Sequence, residues 1–134
     1  MQSIIRISDG AAMALHVADY LVRQEKPLST AGKIARALRV SYNHLSKVLQ
    51  QLTKAGLLLP ARGPKGGFAL SPSGRTARVR DYISAIDGAP ATRPCLLKHK
   101  VCGERSCVFG DFLGETNKRF EKVLNRRISN FGKN

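Results

Sequence analysis

The sequence predicts a mainly α-helical chain carrying one small β-hairpin, and three observations lead there. Apolar residues recur at steps of three and four through most of the chain, which is the period of an amphipathic helix. A single glycine-rich stretch, Arg62-Gly63-Pro64-Lys65-Gly66-Gly67, separates two short apolar runs at 57–59 and 68–70, as a hairpin tip would. Hydrophobic residues make up 43% of the chain while aromatics are only 6% and Trp is absent, so the core is expected to be Leu, Ile, Val and Ala at helical spacing. A chain of 134 residues is expected to form one compact domain with an appended helix, burying about two-thirds of its unfolded surface.

Each element has a local cause. Ser8 and Asp9 read as a helix start, and Ala11, Ala14, Leu15, Ala18, Leu21 and Val22 carry that helix to about Gln24, before Pro27 breaks it. Ser29 or Thr30 caps a second, short helix through Ile34, Ala35 and Leu38. Ser41 caps a third, carrying Leu45, Val48, Leu49 and Leu52 until Gly56 stops it. Only Arg39 and Val40 separate Leu38 from the Ser41 cap, and two short helices joined so tightly form a helix-turn-helix. With the hairpin behind it the unit is a winged helix-turn-helix. Ser71 to Gly74 reads as a turn, Val79, Ile83 and Ile86 mark a further helix ending near Gly88, and 88–94 is a loop. From Phe109 to Phe131 the apolar steps of three and four continue for more than five turns, predicting a long C-terminal helix whose stripe packs on a second subunit. The expected division is therefore a winged helix-turn-helix at 1–88, a cysteine segment at 89–108 and a dimerisation helix at 109–134.

Charge narrows the partner. Twenty-three Lys and Arg stand against nine Asp and Glu, a formal net charge of +14, which draws in polyanions. The basic residues are spread along the chain instead of forming one amphipathic basic helix, so nucleic acid is favoured over a membrane surface. No stretch reaches the roughly 18 apolar residues of a membrane span, and the first residues do not read as a secretion signal, so a cytoplasmic location is expected. His16, His44 and His99 are scattered and no paired carboxylates recur at catalytic spacing, which argues against an enzyme. An RNA-binding accessory protein would share the charge, yet the eight aromatics are dispersed through the core pattern instead of being gathered on one face, and offer little for base stacking.

Two groups of residues carry candidate chemistry. Ser41, Tyr42, Asn43, His44 and Ser46 lie at or near the start of the third helix on its non-core side, where a major-groove reader has its base contacts, with Lys47 and Lys54 placed for phosphates. Arg62 and Lys65 stand at the wing tip, where an arginine answers the negative potential of a narrow minor groove. The second group is Cys95, Cys102 and Cys107, the three cysteines of the chain. An odd count in a reducing compartment points to ligation or redox chemistry, and the wide spacing lacks the Cys-x-x-Cys knuckle usual for zinc. An iron–sulfur cluster, a zinc ion and free redox-active thiols all remain open at this point, with Lys98, His99, Lys100 and Arg105 supplying positive charge nearby.

Taken in order, Ser41 through Gly56, the Arg62-Gly-Pro-Lys-Gly-Gly-Phe68 wing, the helix from Val79 to Asp87 and the three cysteines beyond it resemble the Rrf-type winged-helix transcription regulators, with their IscR-like and NsrR-like branches. The resemblance covers nearly the whole chain. It implies a homodimeric, double-stranded-DNA-binding regulator, a repressor by this reading, whose operator affinity is set by an iron–sulfur cluster of two-iron or four-iron type sensing nitric oxide, redox state or iron. By position, Asn43, His44 and Ser46 fall on the base readers, Arg62 on a minor-groove arginine, and Cys95, Cys102 and Cys107 on the cluster thiolates. IscR-like members place a His three residues after the last cysteine, where this chain has Gly110. NsrR-like members use an Asp near the start of the first helix of the partner subunit, which makes Asp9 the candidate fourth ligand beside His99, Glu104 or a small exogenous ligand.

Overall fold

The computed structural model describes residues 6–90, 95, 97 and 107–131. Six helices, a two-stranded sheet and a 3-10 turn are found among them. Helix α1 (Asp9–Arg23) starts where Ser8 accepts a hydrogen bond from the Ala11 N–H, with Asp9 in its first turn. Its buried face is built largely from Ala11, Ala14, Val17 and Ala18, small residues that let α3 and α5 pack closely on it.

Helices α2 (Ala31–Leu38) and α3 (Tyr42–Lys54) form the helix-turn-helix. Thr30 caps α2 by accepting from the Lys33 N–H, and Ser41 caps α3 by accepting from the His44 N–H. The other cap candidate, Ser29, does something else: its N–H and C=O pair with Phe68 at 3.0 and 2.8 Å, so it lies along the wing as a one-residue third strand. The turn is closed by Arg39 in the left-handed region, φ 57°, a conformation costing an L-residue about 1–2 kcal/mol. The Val40 N–H donating to the Ala35 C=O at 3.1 Å helps hold it there.

The wing is β1 (Leu58–Ala61) paired antiparallel with β2 (Gly67–Leu70), Leu58 opposite Leu70 at the base and Ala61 opposite Gly67 at the tip. A Cβ on Gly67, whose φ is +151°, would lie 2.5 Å from the Ser29 carbonyl oxygen; the glycine is what allows the Ser29 segment to lie against the wing. Ser71 to Gly74, expected as a turn, begins instead a short helix, α4 (Pro72–Thr76). Ser71 caps it through the Gly74 N–H and donates its own hydroxyl to the Gly56 C=O at 2.6 Å, which fixes α4 against the end of α3.

Helix α5 (Val79–Asp87) closes the domain over α1, and Asp87 receives both the N–H and the hydroxyl of Ser8. Tyr82 of α5 is fully buried and donates to the Gly74 C=O at 2.9 Å. Burial, and next the charge of Asp81, push its phenol well above its ordinary range.

The C-terminal helix is present but shorter than its apolar period predicts. Helix α6 runs from Phe112 to Leu124 and stops at Asn125, followed by a 3-10 turn at Ile128–Asn130. The backbone explains the stop. Val79 N–H donates to Arg126 C=O and Ile128 N–H donates to Ala77 C=O, both at 2.9 Å, so the chain pairs with the start of α5 instead of continuing its helix. The continuing apolar period is real but serves another purpose: Ile128 is fully buried in the main core beside Leu49, Leu52 and Tyr82. Leu124 and Phe120 join Ala11, Val79 and Ile83 in a second cluster. The stripe is thus divided, part of it folded onto its own domain and part, including Phe112 at 53% and Val123 at 51% exposure, facing outward.

Candidate nucleic-acid interface and cysteine segment

The capping that starts α3 also decides which of its first residues face outward. Because Ser41 turns the chain into the helix, the first residues, Tyr42, Asn43 and His44, are exposed, while Leu45 is buried. Tyr42 is 57% exposed, Lys47 is exposed one turn further on, and Ser46 is half-buried. The apolar face, Leu45, Val48, Leu49 and Leu52, fills the core and leaves the polar face free.

The wing tip carries the other predicted side chains. Arg62 and Lys65 are exposed on a turn held by the Gly66 N–H donating to the Gly63 C=O at 2.9 Å, with Gly63 at φ +98°. Among the described residues the ion pairs are Arg23–Asp19 and Arg80–Glu121, so Lys47, Arg62 and Lys65 have no carboxylate partner there. Unpaired cations on an exposed helix start and a glycine-rich tip are what phosphate contacts require.

Asp9 lies on a feature that sequence reasoning missed. It and His16, seven residues apart on α1, line one side of an open groove of about 600 Å³ whose other side is Leu38, Val40 and His44. The helical period could have placed Asp9 beside His16, but not opposite His44, since that meeting depends on the packing of α1 across the helix-turn-helix.

Of the cysteines, Cys95 and Cys107 are half-buried free thiols, and Cys102 lies outside the described residues, as do His99 and Glu104. Cys107 stands in the turn leading into α6, where its Sγ accepts the Phe109 N–H at 3.4 Å. Cysteine sulfurs are the donors that an iron–sulfur cluster takes, and such clusters carry N–H hydrogen bonds to their sulfurs, so the donor chemistry fits one. Among the described residues no group of three or more His, Cys, Asp or Glu side chains is assembled to hold a metal. Gly110, where a His would stand in IscR-like proteins, has φ +58°, so its backbone suits a residue without a side chain.

A helix-turn-helix with an exposed, capped second helix and a basic wing defines a winged-helix DNA-binding protein. Residues 7–128 match the Rrf2 family, described as an iron-dependent transcriptional regulator, and the chain belongs to that family. It is a transcriptional regulator and not an enzyme. Protein aau3 of Rhizobium meliloti is 31% identical over 121 residues, covering 90% of this chain and 75% of its own. NsrR of Shouchella clausii, an HTH-type transcriptional regulator, is 41% identical over 69 residues, 51% of this chain and 46% of that one. In structure the chain is similar to CymR, the global cysteine regulator of B. subtilis, with TM-score 0.70 and 19% identity over 92% of both chains. No helix among the described residues is long and apolar enough to cross a membrane.

Proposed function

We propose that the chain works as a homodimeric repressor that reads duplex DNA with the start of α3 and the wing tip, and whose hold on DNA is set by an iron–sulfur cluster. The observation that carries the DNA half is the exposed set of Tyr42, Asn43, His44, Lys47, Arg62 and Lys65, with no carboxylate paired to it among the described residues, on a capped helix and a glycine-turned wing. Ser41 and Ser46 complete the reading surface, Ser41 by fixing the helix start and Ser46 from the half-buried flank. Two such heads in a two-fold dimer would stand about one DNA turn apart, roughly 34 Å. The outward half of the α6 stripe, Phe112 and Val123, supplies an apolar surface for the partner subunit.

Cys95, Cys102 and Cys107 would hold the cluster, with Asp9 as the candidate fourth ligand. When bound, the group supplies a thiolate-ligated centre sensitive to nitric oxide, oxygen or iron supply. The chain's own residues provide the connection to DNA. Cys107 sits in the turn before α6; α6 packs through Phe120 and Leu124 on Val79 and Ile83 of α5 and on Ala11 of α1; and α1 packs directly on α3. A change in how Cys107 is held is therefore passed through packed helices to the reading head, and two states differing by a few kcal/mol suffice for a switch.

Anaerobic purification followed by reconstitution with iron and sulfide tests the sensor. Wild type is expected to bind iron with visible absorbance and Cys102→Ala to lose it. A colourless, iron-free wild type would remove the cluster and leave a winged-helix regulator acting through its thiols or a zinc ion.

A further inference from the structure

The C-terminal turn that ends α6 also gathers a second basic surface, away from the reading end. Arg78 and Arg127 are directly opposite each other in an antiparallel bridge. Its hydrogen bonds, Val79 N–H to Arg126 C=O and Ile128 N–H to Ala77 C=O, are made by the flanking residues, so Arg78 and Arg127 form the closely spaced, non-hydrogen-bonded kind of pair. In such a pair the Cα atoms lie about 4.5 Å apart and like charges facing each other are destabilising.

The guanidinium groups are held out of collapse. Arg78 donates through Nη1 to the Asn125 C=O at 3.4 Å, and Arg127 donates through Nη1 to the Thr76 C=O at 3.1 Å. The latter bond brings Arg127 to the end of α4, the helix that carries Arg75, while Arg126 lies over the Phe131 ring at 6.0 Å. All four arginines are exposed, and none makes an ion pair among the described residues. Two carboxylates on the same elements are already engaged: Asp81 accepts the Arg78 backbone N–H at 2.8 Å, and Glu121 is paired with Arg80 at 2.6 Å. The fold therefore sustains a like-charge juxtaposition that a bound oxyanion would relieve, with forked donors left over to bind it.

Position fixes which polyanion. Helix α4 is anchored at the C-terminal end of α3 by Ser71, through Gly56 and Leu57. A helix of 13 residues is about 20 Å long, so the four arginines lie about that far from Tyr42 and Asn43. A helix that enters the major groove by its start is flanked by walls only about 8.5 Å deep, so the phosphates of that duplex end short of arginines set about 20 Å back along the helix. We infer that Arg75, Arg78, Arg126 and Arg127 form a second, sequence-independent phosphate-backbone site that holds another DNA duplex while the reading end is occupied. Charges spread over the end of α4, the start of α5 and the C-terminal turn form a track suited to successive backbone phosphates.

The test uses full-length protein and random-sequence duplexes of about 20 base pairs, one immobilised and one fluorescent, at 50 mM salt. Arg75→Gln/Arg126→Gln is the variant of choice, because neither side chain makes a hydrogen bond that holds the fold in the described structure. Capture of the fluorescent duplex by the immobilised one is expected to fall about tenfold, while binding to a single duplex changes less than about twofold, since lost phosphate contacts weaken only the second site. Arg75→Lys/Arg126→Lys should restore most of the capture. Undiminished capture by the Gln variant would overturn the inference, since the two reading heads of a dimer would then account for the bridging. Equal loss of both binding modes, or loss accompanied by a lower unfolding midpoint, would overturn it too, by making the arginines part of the primary site or of the fold.

Discussion

Helices α3 and α6 are both 13 residues long and both amphipathic, yet they divide their surfaces differently. In α3 the apolar residues, Leu45, Val48, Leu49 and Leu52, are buried and the exposed face is polar and basic, apart from the amphipathic ring of Tyr42. In α6 only Leu113, Phe120 and Leu124 are buried, and Phe112 and Val123 stay in solvent. A helix whose outer face is polar can wait in water for a polyanion. One that leaves two large apolar side chains outside has a face better suited to another protein surface, which is why the proposal gives DNA to α3 and the second subunit to α6.

The largest effect that would sharpen this contrast is electrostatic. If a dimer touches about 6–10 phosphates, DNA affinity should fall about 10³–10⁵-fold between 50 and 200 mM salt. Dimerisation through an apolar α6 face should change little over that range, as sedimentation at both salts would show. A dimer that dissociates as steeply as the DNA complex would break the comparison. Next comes packing. Leu49→Ala should cost about 2–5 kcal/mol of unfolding free energy in urea titration. Val123→Ala should cost under about 1 kcal/mol in the monomer while weakening the dimer. Ser41→Ala, which removes the cap that starts the reading helix, should cost about 1 kcal/mol and lower DNA affinity beyond what that loss of stability explains.

The smallest effect concerns Tyr82. Its phenol is pushed up in the folded state, so the unfolded chain releases that proton first as pH rises, and the stabilisation is present in full below the unfolded phenol's pKa of about 10 and lost above it. Tyr82→Phe should flatten this alkaline decline while costing about 1 kcal/mol near neutrality, through the lost hydrogen bond to Gly74. Chemical denaturation across the alkaline range checks both.

The helix-turn-helix and wing were legible because their signals are local. Ser41 caps α3 as its position predicts, and Arg62 and Lys65 lie on the turn that the glycines predict. The end of α6 was not legible, because its apolar period continues to Phe131 while the backbone leaves the helix at Asn125 to pair with Ala77 and Val79. A stripe does not say which surface buries it. The same holds for the groove joining Asp9 and His16 to His44 and for the meeting of Arg78 with Arg127, each of which depends on residues distant in sequence. Of the candidate cluster ligands, Cys102 lies outside the described residues, and Asp9 is placed only as far as the groove it lines.

The central claim is that the start of α3 reads duplex DNA. It is tested most directly by competition binding of wild type and Asn43→Ala/His44→Ala on duplex and single-stranded DNA of the same sequence, the duplex being one that wild type selects from a random pool. The account predicts preference for duplex in wild type, and in the variant a loss of about tenfold or more on that duplex with nearly unchanged binding to random duplex. Preference for the single strand, or equal losses on both duplexes, would contradict it.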